Sequence, residues 1–76
     1  MRVYVNGENK ELTPGLSLLE LLSSLALPLQ RIAVELNREV VRRADWEKTI
    51  LRDEDRIEIV HFVGGGSTFA SLRKSV

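Results

Sequence analysis

Seventy-six residues with zero net formal charge and no cysteine describe one small domain, whose thin core leaves little room for an enclosed active site. The missing cysteines exclude disulfides, cysteine zinc sites and thiol chemistry, and they fit a reducing compartment. No basic stripe points to nucleic acid, and no apolar run reaches membrane-spanning length. The opening Met1-Arg2-Val3-Tyr4-Val5 reads as a strand rather than as the apolar stretch of a secretory signal, so a cytoplasmic chain is expected.

Val3 and Val5 alternate onto one face of a first strand, Arg2 to Asn6. Asn6-Gly7 predicts a type I′ hairpin turn, because both residue types tolerate positive φ. Glu8 to Leu12 returns as the second strand, with Leu12 inward. Thr13-Pro14-Gly15 breaks the pattern. Ser17 and Glu20 match a capping box. Leu18, Leu21, Leu22 and Leu25 then form one helical stripe at i, i+3, i+4 and i+7. Pro28 closes the helical region. Arg31 to Leu36, nearly all apolar at Ile32, Ala33, Val34 and Leu36, reads as a buried inner strand. Asn37-Arg38 turns the chain into a short strand, Glu39 to Val41. Asp45-Trp46-Glu47 predicts a turn or a short helical piece, and Asp53-Glu54-Asp55 an acidic turn. Arg56 to Val63 is the last strand. Hairpin, helix, strand, short strand and final strand make an α+β roll: a mixed sheet of four to five strands with one main helix packed on one face. The first and last strands are expected side by side and parallel at the sheet centre, joined by the helical crossover that parallel strands need. This is also the order of a β-grasp, or ubiquitin-like, domain.

Side chains with chemical potential are few. His61 is the single histidine and has no neighbouring ligand or triad partner in the sequence, so it reads as structural or surface. Asp53, Glu54 and Asp55 read as a solvated turn rather than a metal site. Arg38, Arg42, Arg43 and Arg52 form a basic group, a solvated face that an acidic partner surface could use. Trp46 closes one end of the core or anchors an interface. In the last strand, alternation places Ile57, Ile59, His61 and Val63 on one face and Arg56, Glu58, Val60 and Phe62 on the other. With the isoleucines inward, Val60 and Phe62 are an expected partner-docking patch; a bulge that turns Phe62 inward is the alternative.

Gly64-Gly65-Gly66 follows this strand. Three residues without a Cβ can lie extended in a channel too narrow for side chains, or they can hinge a disordered tail. Residues 1–66 carry nine Lys/Arg against eleven Asp/Glu, a balance of −2, while residues 67–76 carry Arg73 and Lys74 and no acid, a balance of +2. The domain is expected to span 1–66, with 67–76 a flexible C-terminal extension.

Asn6-Gly7, Ser17 with Leu21-Leu22, Ala33-Val34 with Asn37, Val40-Val41-Arg42, Trp46 and the run Asp53 to Gly66 together resemble the ThiS family, the sulfur carriers of thiamin thiazole synthesis. The resemblance covers residues 1–66. Its most specific part is Asp55-Arg56-Ile57-Glu58-Ile59-Val60 with Phe62-Val63-Gly64-Gly65-Gly66. It implies a cosubstrate rather than an enzyme. A ThiF-like enzyme, using ATP and Mg²⁺, adenylates the C-terminal carboxylate. A persulfide sulfur, ultimately from a cysteine desulfurase, displaces AMP. The resulting thiocarboxylate serves a ThiG-like thiazole synthase. The domain itself holds no cofactor, metal, membrane or nucleic acid. Without a gap, the alignment makes Gly66 the sulfur-carrying residue and Gly64 and Gly65 the channel-threading tail.

This chain departs from the family by continuing from Ser67 to Val76. A peptide bond after Gly66 leaves no carboxylate to activate. A protease that removes the tail restores the chemistry, and a hydroxyl-rich, basic end suits cleavage. The neighbouring alternatives are a MoaD-like carrier for molybdopterin synthesis, with the same fold and Gly-Gly end, and a ubiquitin-like interaction module that is never activated.

Overall fold

The computed structural model describes residues 1–62. Val63, the Gly64-Gly65-Gly66 run and the extension 67–76 lie outside the described residues. The elements in chain order are β1 (Arg2–Val5), β2 (Glu8–Glu11), α1 (Leu18–Ser24), a 3₁₀ turn (Leu29–Arg31), β3 (Ile32–Leu36), β4 (Glu39–Val41), a second 3₁₀ turn (Arg43–Asp45) and β5 (Arg56–His61). The five strands form one mixed sheet in the order β2-β1-β5-β3-β4. β5 runs parallel to β1 and antiparallel to β3, so the last strand is the central one, as expected.

Two type I′ turns fold the two hairpins. Asn6 and Gly7 have φ of 49° and 86°, and Asn37 and Arg38 have 52° and 74°. The pairs Val5↔Glu8 and Leu36↔Glu39 close around them, as two-residue hairpin loops require. β2 ends one residue short of the expected Leu12, yet Leu12 N–H still donates to the Met1 carbonyl at 2.8 Å. The capping box at α1 is complete: the Glu20 N–H donates to Ser17 Oγ and the Ser17 N–H to Glu20 Oε1. The helix spans only seven residues, too few to stand alone, so its stability comes from packing. Leu18, Leu21 and Leu22 meet Val3, Val5, Ile32, Val34, Ile57 and Ile59 in one core, and Leu25 packs at its margin. Trp46 belongs to the same core, 2% exposed, with Nε1–H donating to the Val41 carbonyl at 2.9 Å. It therefore closes the core and is not a surface anchor. β3 starts at Ile32 rather than at the expected Arg31, because the Arg31 N–H closes the 3₁₀ turn onto the Pro28 carbonyl.

The expectation that Val60 is exposed is corrected. Its partner face is the one predicted, because the β3–β5 register runs without a bulge from Ile32↔His61 to Leu36↔Ile57. Val60 is nevertheless only 3% exposed, although it lies outside the main core. On an inner strand, a short side chain is flanked by the longer residues two positions away, here Glu58 and Phe62, and by its cross-strand neighbour, here Ala33. Phe62 is half-buried.

Two stability predictions follow from these positions. Ala26, just past the helix end, holds φ of +58°, a conformation that costs an L-residue with a Cβ about 1 kcal/mol or more. Ala26→Gly is expected to raise stability by about 1 kcal/mol, read as a melting temperature higher by about 4–8 °C. Val60→Ala is expected to lower stability by about 1.5 kcal/mol in urea unfolding, at about 0.8 kcal/mol per buried methylene. A neutral Val60→Ala would restore Val60 to the exposed surface.

Candidate functional site

The candidate site is the C-terminal half of β5 and the sheet face turned away from α1. Register and alternation put Arg56, Glu58, Val60 and Phe62 on that face, beside Tyr4 from β1, Ala33 and Glu35 from β3, and Val40 from β4. The face divides in two. Near the start of β5 it is charged: Glu35, Arg38, Arg56 and Glu58 line an open depression. The Arg56 guanidinium also lies 4.7 Å from the centroid of the Tyr4 ring, within cation–π range. The Tyr4 hydroxyl donates to Glu54 Oε1 at 3.3 Å. The Arg2 guanidinium is pushed above its ordinary range, first by hydrogen bonding to Tyr4 and also by the nearby Glu54 carboxylate. Toward the end of β5 the face turns apolar, through Ala33, Val60 and Phe62. Val40 on the edge strand is 71% exposed.

The docking pair predicted from alternation is thus only half available. Val60 is covered, and Phe62 is half-buried. The Phe62 N–H donates to the Arg31 carbonyl at 2.7 Å, which fixes the backbone two residues before the first glycine. Gly64, Gly65 and Gly66 lie outside the described residues. Of the basic group, Arg38 reaches the charged depression. Arg43 instead sits 5.9 Å from the centroid of the Trp46 ring, far along the chain from β5.

The remaining candidates have structural partners. His61 is half-buried and opposite Ile32 in the ladder. The acidic turn caps backbone: Asp53 Oδ1 accepts from Arg2 N–H at 2.8 Å, and Asp55 Oδ2 accepts from Arg52 N–H at 2.8 Å. Asp55 Oδ1 accepts from Asn37 Nδ2 at 2.9 Å. Among the described residues, no three acidic or histidine side chains converge as a metal site, and no helix is long and apolar enough to cross a membrane.

Two asparagines escaped the sequence reading except as turn formers. Asn6 Oδ1 accepts from Ile59 N–H at 2.8 Å, and Asn37 Oδ1 accepts from Arg56 N–H at 3.0 Å. Each turn asparagine therefore holds the central strand, Asn37 at its start and Asn6 just past its middle. The only signal in the sequence was the pairing of an Asn-led turn with each hairpin, and the tertiary contact depends on a strand more than fifteen residues away.

Known proteins agree with this architecture. A crystal structure of the thiamine biosynthesis protein ThiS from Geobacter metallireducens superposes with a TM-score of 0.76 at 36% identity, over 87% of this chain and all of that one. A sulfur carrier protein ThiS of Bacillus subtilis is 45% identical over 47 residues, which is 62% of this chain and 71% of that protein. A thiazole synthase of Magnetococcus marinus is 39% identical over 66 residues, 87% of this chain; the chain spans only 20% of that protein's length. The model of the ThiS family matches residues 3–66, and the chain belongs to the ThiS family.

Proposed function

We propose that this chain is a sulfur carrier, a cosubstrate rather than an enzyme, that works through a terminal carboxylate at Gly66. The observation that carries the reading is the family match, which runs from Val3 to Gly66. The sulfur-carrier name of the Bacillus subtilis relative and the thiamine biosynthesis name of the Geobacter metallireducens structure support it.

The chemistry answers a specific obstacle. A carboxylate resists nucleophiles because it is negatively charged and its oxygen leaves badly. A ThiF-like enzyme with ATP and Mg²⁺ converts it to an acyl adenylate and releases pyrophosphate, so that AMP becomes the leaving group. The terminal sulfur of a persulfide, supplied through a cysteine desulfurase, attacks the carbonyl and expels AMP. A second thiol then cleaves the acyl disulfide, leaving the thiocarboxylate on the carrier and a disulfide on the donor side. A ThiG-like thiazole synthase receives the sulfur. The two thiazole synthases that contain a stretch similar to this chain support that partner.

The carrier's share of the work is recognition and delivery. Glycine at the last positions lets the terminus enter a narrow channel and leaves the carbonyl open to attack. The split outer face, charged beside Arg56 and apolar beside Phe62, gives the activating enzyme a surface to read. Residues 67–76 must be removed before activation, and a protease is the agent that exposes Gly66.

Intact mass tests the reading. The chain is incubated with cell extract, then with ATP, the activating enzyme and a persulfide donor. The expected product ends at Gly66 with one oxygen replaced by sulfur. In the form ending at Gly66, Gly66→Ala is expected to lower adenylation about a hundredfold, the scale on which a misplacement of about 1 Å acts. Normal activation of that variant, or no reaction from the wild-type form ending at Gly66, would favour an interaction module that is never activated.

A further inference from the structure

We propose that Asn6 is a positioning residue for the C-terminal end of β5: its side-chain amide stands in for a missing strand and sets the direction in which the chain leaves the sheet. The proposal rests on the carrier reading, since a carrier needs its terminus aimed.

β5 presents alternate backbone groups to its two flanks. Toward β3, Asn37 N–H donates to the Arg56 carbonyl and Phe62 N–H to the Arg31 carbonyl. Toward β1, Tyr4 N–H donates to the Asp55 carbonyl and Asn6 N–H to the Ile57 carbonyl. There β1 stops, because Asn6-Gly7 turns the chain into β2. The next residue on that flank is Ile59, which is fully buried and whose backbone groups need partners. Asn6 supplies both from one side chain. Its Oδ1 accepts from Ile59 N–H at 2.8 Å, and its Nδ2 lies 3.5 Å from the Ile59 carbonyl, a long and weaker contact. A side-chain amide has the same donor and acceptor as a peptide group, so the ladder gains one more rung without another strand residue. Beyond Ile59 the described backbone bonds of β5 go to β3. Among the described residues Asn6 is the last backbone hold on the β1 flank, and without it the end of β5 is held from the β3 side alone and frays more readily.

Asn37 is an internal control. It has the same side chain, the same turn position (φ 52° against 49°) and an equivalent bond to Arg56 N–H, but it sits at the start of β5. Glycine at either position keeps the positive φ and removes only the side chain.

The test is native-state amide exchange on the full 76-residue chain. Asn6→Gly is expected to speed exchange of the Ile59 and Phe62 amides by about five- to tenfold beyond the global change, the factor that corresponds to one lost hydrogen bond. Asn37→Gly is expected to leave Phe62 within about twofold of wild type. Asn6→Asp, which keeps Oδ1 but sets a second acceptor against the Ile59 carbonyl, is expected to restore part of the Phe62 protection. In the form ending at Gly66, Asn6→Gly is expected to leave affinity for the activating enzyme unchanged and to slow adenylation at saturation by a similar factor. Equal Phe62 exchange in Asn6→Gly and Asn37→Gly would overturn the proposal, as would wild-type adenylation by an Asn6→Gly chain whose Phe62 amide is loosened. Failure of the wild-type form ending at Gly66 to be adenylated would instead overturn the carrier reading and its use of the clamp, while the exchange result would still decide whether Asn6 holds β5.

Discussion

Everything in this fold depends on the parallel pairing of its first and last strands. Parallel neighbours cannot be joined by a tight turn, so the chain between β1 and β5 must cross over. That crossover contains the helix and the second hairpin, and the helix covers the one sheet face that Val3, Val5, Ile57 and Ile59 make apolar. β5 ends up with a strand on each side. A strand in that position is bound along both flanks and cannot peel away as an edge strand does. The last described strand thereby lies at the centre of the sheet rather than at its edge.

The flanks are nevertheless of unequal length. β3 pairs with β5 from Leu36↔Ile57 to Ile32↔His61, whereas β1 pairs only at Tyr4↔Arg56 and Val5↔Ile57. A hairpin this short would leave Ile59 without partners on one side. The asparagine that the type I′ turn favours for its φ also fills that gap with its side chain. Asn37 also bonds β5 with its side chain, at the start of the strand, reaching both Arg56 N–H and the Asp55 carboxylate. Turn chemistry and sheet completion are therefore one requirement here, which restricts both positions more tightly than either role alone.

This division explains what the sequence disclosed. Local chemistry was legible: the Asn6-Gly7 turn, the Ser17–Glu20 capping box and the Leu18-Leu21-Leu22 stripe each depend on residues within one or two turns, and each formed as read. Strand order followed from topology, because few arrangements accommodate that order of elements. Exposure did not follow. Alternation placed Val60 on the correct face but said nothing about its neighbours, and on an inner strand those neighbours decide whether a valine meets water. The clamps of Asn6 and Asn37 were hidden for the same reason, since their partners are set by the register of strands distant in sequence.

The geometry of the sheet limits how the proposed chemistry can occur. The last described backbone bond joins Phe62 to Arg31, and Gly66 lies four residues further on. Four residues span at most about 14 Å when fully extended. An activating enzyme that receives a Gly66 terminus must therefore bring its reaction centre within that distance of the sheet, too close for the domain to trail behind on a long tether. Under the proposed function the body of the domain has to touch that enzyme, and the end of β5 has to point the right way when it does. Under both proposals the outer face around Phe62 and the hold of Asn6 on Ile59 would serve the same end: one would bring the carrier to its partner, and the other would keep so short a reach from being wasted on the wrong direction.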